Sequence, residues 1–147
     1  MKQKFGTIRQ SVFLRATPLE VYDALVDPKK HAEFTHQGAT GDPKVGGRFT
    51  AGDGYISGKN VELKEGKLIV QEWRTTEWPD GHPDSLLKFS FSKQKGGTRL
   101  LMVHSKVPAA QTKYYSKGWK QYYWTPLRKY FSEIKVAKEG TRKPRVQ

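Results

Sequence analysis

Apolar and polar residues alternate along much of the chain, and this two-residue period predicts β-strands. In the first strand, over residues 5–14, Ile8, Val12 and Leu14 share one face, which we expect to be buried. The same pattern predicts later strands at 49–51, 59–63, 68–76, 87–91 and 98–107. Glycine-containing turns separate most of these later strands, which indicates an antiparallel meander.

Helical spacing replaces this alternation directly after the first strand. Thr17 is a predicted helix N-cap, Pro18 suits the first turn, and Glu20 follows the cap by three residues, as in a capping box. Asp27 precedes a proline and is expected to end this helix and open a second short one at 29–34. The apolar side of the first helix, which we expect to face the core, contains Leu19, Tyr22 and Val26.

The most aromatic part of the chain is predicted to be a long terminal helix. Eight of the eighteen residues from 114 to 131 are aromatic, and Pro126 among them is expected to kink the helix. At about 100° per residue, one face gathers Tyr115, Trp119, Tyr122, Tyr123, Tyr130 and Ile134. The opposite face gathers Lys113, Lys117, Gln121, Arg128 and Lys135, and Trp124 and Phe131 lie toward it. We expect the aromatic face to pack on the sheet.

Length and composition set the broad class of protein. The 147 residues suit a single domain at 1–136, followed by a basic tail at 137–147 that we expect to be disordered. The 27 basic and 14 acidic residues give a formal net charge of +13, which favours an anionic partner. The absence of cysteine excludes disulfides and thiolate chemistry. No apolar run approaches the roughly 20 residues of a membrane span, so we expect a soluble, cytoplasmic protein.

The order of elements resembles the helix-grip fold of the START and birch-pollen-allergen superfamily. The resemblance implies an α+β fold in which a curved antiparallel sheet wraps a long C-terminal helix, with two short helices after the first strand. Over residues 11–133, the segments TPLEVYDALVDP, GGRF, DGYISG, VQEWR, GGTRL and GWKQYYWTPLRKYF are similar to the family of activators of the ATPase of the ninety-kilodalton heat-shock chaperone. EFTH and WPDGH are similar to the C-terminal domain of the eukaryotic co-chaperone.

The resemblance implies a non-enzymatic module that binds an ATP-dependent heat-shock chaperone. In the eukaryotic co-chaperone, a separate N-terminal domain carries the main stimulatory motif, and no part of this chain corresponds to that domain. The basic face of the terminal helix is the predicted contact with the partner. It would use Lys113, Lys117 and Arg128, with Trp124 as its apolar centre.

A second prediction is an apolar ligand cavity between helix and sheet. The tyrosine hydroxyls of the aromatic face need hydrogen-bond partners when buried, and a partly hydrated cavity would supply them. The predicted lining residues are Phe34, Tyr55, Trp73, Phe89, Trp119 and Tyr123. One alternative is therefore a small-ligand-binding protein with no chaperone role.

Catalysis, metal binding and nucleic-acid binding receive less support from the residues. No nucleophile and base can be paired from the sequence, so a cavity enzyme of the polyketide-cyclase type is a further alternative only. The four histidines lack the spacing of metal ligands, and we predict neither metal nor cofactor. The lysines of the terminal helix are predicted to lie opposite the aromatic rings, which argues against a nucleic-acid stacking platform.

Overall fold

The computed structural model describes residues 4–142, with the backbone alone described over 135–142. The strands are β1 Phe5–Leu14, β2 Thr40–Gly41, β3 Arg48–Ala51, β4 Ile56–Lys64, β5 Leu68–Thr75, β6 Ser85–Gln94 and β7 Gly97–Pro108. The α-helices are α1 Pro18–Val26, α2 Pro28–Thr35, α3 Thr112–Trp119 and α4 Thr125–Arg142. A π turn, Lys120–Trp124, joins α3 to α4, and short 3₁₀ turns cover Gly52–Gly54 and Ala109–Gln111.

These strands form one antiparallel sheet in the order β1-β7-β6-β5-β4-β3-β2. The strands from β2 to β7 follow one another as a meander, and β1 returns to pair with β7. The aromatic rings of α3 and the π turn pack on one face of the sheet, where Trp119 contacts Trp73 of β5 and Phe89 of β6. The predicted α+β helix-grip fold is confirmed.

The start of α1 is built as its sequence predicts. The hydroxyl of Thr17 accepts the Glu20 backbone N–H at 3.1 Å, and the Glu20 carboxylate accepts the Thr17 N–H at 2.8 Å. Asp27 then ends α1 and caps α2 by accepting the Lys29 N–H at 3.1 Å. Both caps use only residues within three positions of each other, so tertiary packing is not needed to specify them.

The buried face of α1 differs from the prediction. Val21, Tyr22, Ala24 and Leu25 are buried, whereas the side chain of Leu19 is 48% exposed. The helix is apolar on more than one side, so the period alone allows two faces, and packing on the sheet selects the one centred on Val21 and Leu25.

A β-bulge alters the predicted pattern of β4. The strand begins at Ile56, inside the glycine-rich stretch, and its register with β5 shifts between Asn60 and Glu62. The bulge leaves Val61 exposed and turns Asn60 inward, where its amide accepts a hydrogen bond from Gln71 at 2.9 Å. The strict alternation predicted for 59–63 is therefore interrupted.

The π turn decides which aromatic residues face the sheet. Pro126 has no N–H to donate to the Tyr122 carbonyl, and in an α-helix its ring would clash with that carbonyl. The chain instead closes an i→i+5 turn in which the Thr125 N–H bonds to the Lys120 carbonyl. Because such a turn contains more residues than an α-turn, the side chains after Trp119 rotate relative to the predicted projection.

This rotation corrects the predictions for three residues of the terminal helix. Tyr122, predicted to lie in the packed face, is 57% exposed, whereas Trp124 is 4% exposed. Phe131, predicted near the basic side, is also buried.

The backbone remains helical through Arg142, although the tail was predicted to begin at 137, and residues 143–147 lie outside the described part. Across residues 4–142, no helix combines the length and apolarity needed to cross a bilayer.

Candidate functional site

A chain of buried hydrogen bonds ties the terminal helix to the sheet. The indole N–H of Trp119 donates to Nδ1 of His104 at 3.1 Å, and Nε2 of His104 lies 2.7 Å from the Ser85 hydroxyl. That hydroxyl donates to the Trp73 carbonyl at 2.6 Å. An indole nitrogen can only donate, so Nδ1 is the acceptor and the imidazole proton is on Nε2. His104 is 0% exposed, and burial lowers its pKa to about 3.

The direction of these bonds is the reverse of that in a nucleophile–base pair. A general base must accept the hydroxyl proton of serine, but here the imidazole donates and the serine proton is committed to a carbonyl. Ser85 is as inaccessible as His104. The pair is therefore a structural element of the core. The signal for it in the sequence is the polar His104 within the predicted strand 98–107, whereas Ser85 lies before the predicted strand at 87–91 and belongs to the longer observed β6.

The hydroxyl of Tyr115 joins a second buried network. It accepts the indole N–H of Trp78 at 2.9 Å and lies 2.8 Å from the Thr75 hydroxyl. The Tyr55 hydroxyl lies beside it at 3.4 Å and donates to the Glu77 carboxylate. Burial and the bond to Glu77 raise the pKa of Tyr55, so its phenol stays protonated. These contacts fix the inner wall of the domain at the N-terminal end of α3.

A small void lies beside His31 and Tyr123. His31 Nδ1 lies 3.1 Å from the Leu25 carbonyl, so Nδ1 carries the proton and Nε2 accepts the Tyr123 hydroxyl at 2.9 Å. Burial lowers the pKa of His31 and raises that of Tyr123. The void measures about 30 Å³, and the amides of Asn60 and Gln71 line it. That volume suits one or two water molecules rather than an organic ligand.

A much larger groove opens between the terminal helix and the segment around Tyr55. Its volume is about 430 Å³, within the roughly 300–1,000 Å³ of small-molecule sites. Four of the six predicted cavity residues line this groove: Tyr55, Trp73, Trp119 and Tyr123. Phe89 borders only the small void, and Phe34 packs on His31, Tyr123 and Tyr130 and borders neither space.

The groove combines an aromatic base with a polar rim. Seven of its fifteen lining residues are aromatic, which gives it rigid, flat walls. Tyr114 and Tyr122 form the rim and are 61% and 57% exposed. Lys117 is the only charged residue among the described residues that line the groove, and the amides of Gln37 and Gln121 lie there too. Sequence projection misplaced Tyr122 because it did not anticipate the π turn, and it assigned Tyr114, which lies before that turn, to neither face.

The predicted partner surface lacks the apolar residue, Trp124, that was expected at its centre. Lys113, Lys117 and Arg128 are exposed as expected. Trp124, however, is buried, and its indole N–H donates to the Gln10 side chain at 2.6 Å. The same amide donates to the Ser116 carbonyl at 2.9 Å, so Gln10 joins β1 to the terminal helix. The prediction that Trp124 contacts a partner is therefore wrong, and the exposed rings beside Lys117 are those of Tyr114 and Tyr122.

The WPDGH segment forms a rigid loop. The Arg74 guanidinium donates to the carbonyls of Pro79 at 3.0 Å and His82 at 2.8 Å, and it pairs with the Asp84 carboxylate at 2.9 Å. The His82 ring is buried, with Nδ1 2.7 Å from the Pro83 carbonyl, so its role is structural. Over residues 4–142, no three His, Asp or Glu side chains gather closely enough to hold a metal ion.

Comparison with known proteins gives a consistent relationship. Residues 15–132 match the family described as "Activator of Hsp90 ATPase homolog 1-like protein". Over 115 residues the chain is 32% identical to the human "Activator of 90 kDa heat shock protein ATPase homolog 1", covering 78% of this chain and 34% of the human protein. The chain thus spans about a third of the length of that relative.

Solved structures agree with this assignment. A crystal structure of an HSP90 activator from Plasmodium falciparum is 25% identical, with a TM-score of 0.65 over 74% of this chain and 77% of that chain. The solution structure of the Aha1 dimer from Colwellia psychrerythraea has a TM-score of 0.70 at 14% identity, covering 83% of this chain and 93% of that one, which supports the fold alone. The chain is a member of the Activator of Hsp90 ATPase homolog 1-like family.

Proposed function

We propose that this chain is a non-enzymatic, partner-binding module that docks on an ATP-dependent heat-shock chaperone in the cytoplasm. Its relatives are named as activators of the ATPase of the 90 kDa heat-shock protein. The observation that carries the proposal for this chain is the exposed surface of α3, where Tyr114 lies between Lys113 and Lys117. Basic side chains around an exposed aromatic ring suit an acidic protein surface.

The division of roles on this surface follows from its chemistry. Lysine and arginine side chains in solvent mainly accelerate encounter with an anionic surface, whereas a ring that becomes buried on docking slows dissociation. Lys113, Lys117 and Arg128 would supply the first effect. Tyr114 and Tyr122, rather than Trp124, would supply the second.

The polar interior also favours binding over chemistry. In the pair that most resembles a catalytic one, the His104 imidazole donates to Ser85 and the Ser85 hydroxyl donates to a backbone carbonyl. The imidazole therefore cannot accept the serine proton. Within the described lining of the 430 Å³ groove there is no carboxylate or histidine that could act as acid or base. A small-molecule-binding protein without a chaperone role is the second candidate, and the volume of the groove is the observation that favours it.

The test compares two triple charge reversals. One variant changes Lys113, Lys117 and Arg128 to Glu, and the control changes the exposed Lys67, Lys88 and Lys95 to Glu. Each reversal removes two positive charges, so both variants carry a formal net charge of +7 instead of +13. We expect the first variant to associate more slowly with the ninety-kilodalton chaperone, and with a flatter salt dependence, than the control.

The rate of chaperone ATP hydrolysis is measured in the same series. Equal association rates for the two variants would show that the basic helix face is an ordinary solvated surface and not a docking site. Absence of chaperone binding by the unmodified chain would reject the docking function itself and move the ligand-binding candidate to first place.

A further inference from the structure

We propose that the 430 Å³ groove beside α3 binds a planar aromatic molecule that carries one acidic group. This inference goes beyond chaperone docking and does not depend on it, because the groove is defined by its own walls. It also differs from the apolar cavity predicted from the sequence, since the space is open to solvent and its rim is polar.

The walls of the groove are held in place before any ligand arrives. Trp119, at the base, is fixed by its bond to His104, and its ring lies 5.9 Å from that of Trp73. Tyr115 is fixed by its bonds to Trp78 and Thr75. Flat rings held in fixed positions favour a flat ligand, which can stack on them or meet them edge to face without costly ordering of the protein.

The charge of the ligand is indicated by the polar groups that remain available. Lys117 provides an ammonium group that makes no ion pair with any described residue. The hydroxyls of Tyr114 and Tyr122 accept or donate no bond to a described side chain. Neither Asp nor Glu is among the described residues that line the groove, and the two carboxylates next to lining residues accept hydrogen bonds elsewhere: Glu77 from the Tyr55 hydroxyl, and Asp53 from the Gly38 N–H at 2.6 Å. A carboxylate beside Lys117 could therefore accept from its ammonium group and from the hydroxyls of Tyr114 and Tyr122.

Two other ligand classes fit less well. Aromatic residues can surround a quaternary ammonium group by cation–π attraction, but Lys117 and the net charge of +13 oppose a cationic ligand. A flexible alkyl chain would lose conformational entropy on binding and would remain partly in water in an open groove.

Gly118 is the position that allows a ligand to approach the helix. It lies in α3 and lines the groove, and a Cβ added there would have Tyr122 Cδ2, at 3.9 Å, as its nearest neighbour. A larger side chain at 118 would thus extend into the groove rather than into the core. Because leucine favours helix more than glycine does, Gly118→Leu should fill the groove while the fold is retained.

The experiment uses three probes that share a naphthalene ring: 2-naphthoate, 2-naphthylmethanol and 2-naphthylmethylammonium, with charges of −1, 0 and +1. Binding to the whole chain is measured by calorimetry and by shifts of the indole N–H signals in nitrogen–proton spectra. We expect affinity to fall in the order anion, neutral, cation, with the anion favoured over the neutral probe by about fivefold, as for an exposed ion pair near its upper limit.

Three variants locate the site. Lys117→Gln should remove the preference for the anion over the neutral probe, and Gly118→Leu should abolish binding of both. Lys113→Gln, which removes a neighbouring charge outside the groove, should leave the preference unchanged. Equal affinity for all three probes, or undiminished binding by a folded Gly118→Leu variant, would overturn the proposal. Since no chaperone is present in the assay, its outcome is independent of the docking function.

Discussion

The buried imidazole of His104 should make the stability of this protein fall steeply on mild acidification. In the folded state its pKa is lowered to about 3, because it is fully buried and both ring nitrogens are committed to neutral hydrogen bonds. In the unfolded chain it should titrate near the ordinary value of about 6.5. Between about pH 3 and pH 6.5 the unfolded state therefore binds one more proton than the folded state. Stability is present above about pH 6.5 and is lost as the pH falls.

The magnitude follows from the difference between the two pKa values. Each pH unit within the window costs about 1.4 kcal/mol, and the loss between pH 7 and pH 4.5 should be roughly 2–3 kcal/mol from this residue alone. That is a substantial fraction of the roughly 5–15 kcal/mol by which domains are stable. His31, whose pKa is also lowered by burial, should add a contribution of the same sign.

The assay is urea denaturation at several pH values for the unmodified chain and for His104→Gln. The variant should lose roughly 2–3 kcal/mol less between pH 7 and 4.5, whatever its stability at neutral pH. His36→Asn is the matched control, since His36 is exposed and its φ of 60° suits asparagine. It should keep the steep dependence. An unchanged slope in His104→Gln, or an imidazole signal of His104 that titrates near pH 6.5 in the unmodified chain, would refute the reasoning.

Four further substitutions test the packing. Trp119→Ala should cost about 3–5 kcal/mol in chemical denaturation, and a loss below about 1 kcal/mol would contradict its place in the core. Trp124→Ala should cost a similar amount rather than selectively weakening a partner complex, which a denaturation curve and a binding curve on the same sample would distinguish. Gly58→Ala should lower the thermal midpoint, because its Cβ would overlap the Glu72 carbonyl, and an unchanged midpoint would contradict this. Gly118→Ala should raise the free energy of unfolding by about 0.5–1 kcal/mol, whereas a decrease would place the glycine in a tighter environment than described.

Local interactions are the part of this structure that the sequence predicts well. The capping box of Thr17 and Glu20 and the shared cap at Asp27 appear as expected because each depends on residues three positions apart or fewer. Alternation in β1, β5, β6 and β7 is equally reliable, since one face of each strand packs on the core and the other meets solvent. These features predict the α+β class, whereas the helix-grip fold was predicted from the family resemblance.

The candidate site was predicted only in part, because its geometry depends on a change of helical period. Projection at about 100° per residue holds as far as Trp119, which is buried as expected. Beyond it the π turn exchanges the environments of Tyr122 and Trp124, so one exposed rim residue, Tyr122, was assigned to the core, and the core residue Trp124 was assigned to the surface. Pro126 indicated a local irregularity, but a proline does not specify whether the helix kinks or closes a wider turn.

The polar networks of the interior could not be paired in advance for a different reason. Trp119 and His104 are 15 positions apart, and Trp124 and Gln10 are 114 apart. Such pairs form only once tertiary packing has fixed the position of the helix relative to the strands. The sequence shows that each group will need a partner, but not which partner it will meet.

The four tryptophans of this protein form a single continuous array. Ring centroids are 5.7 Å apart for Trp73 and Trp78, 5.9 Å for Trp73 and Trp119, and 5.6 Å for the stacked pair Trp119 and Trp124. At such separations excited states are shared, so the emission of the folded protein belongs to the array and not to any one indole. Exciton coupling should also add bands to the far-ultraviolet circular dichroism, which would distort helix content read from that spectrum. Since Trp119 joins the other two parts, its replacement would divide the array into a coupled pair and an isolated chromophore, and the optical change would exceed the loss of one indole.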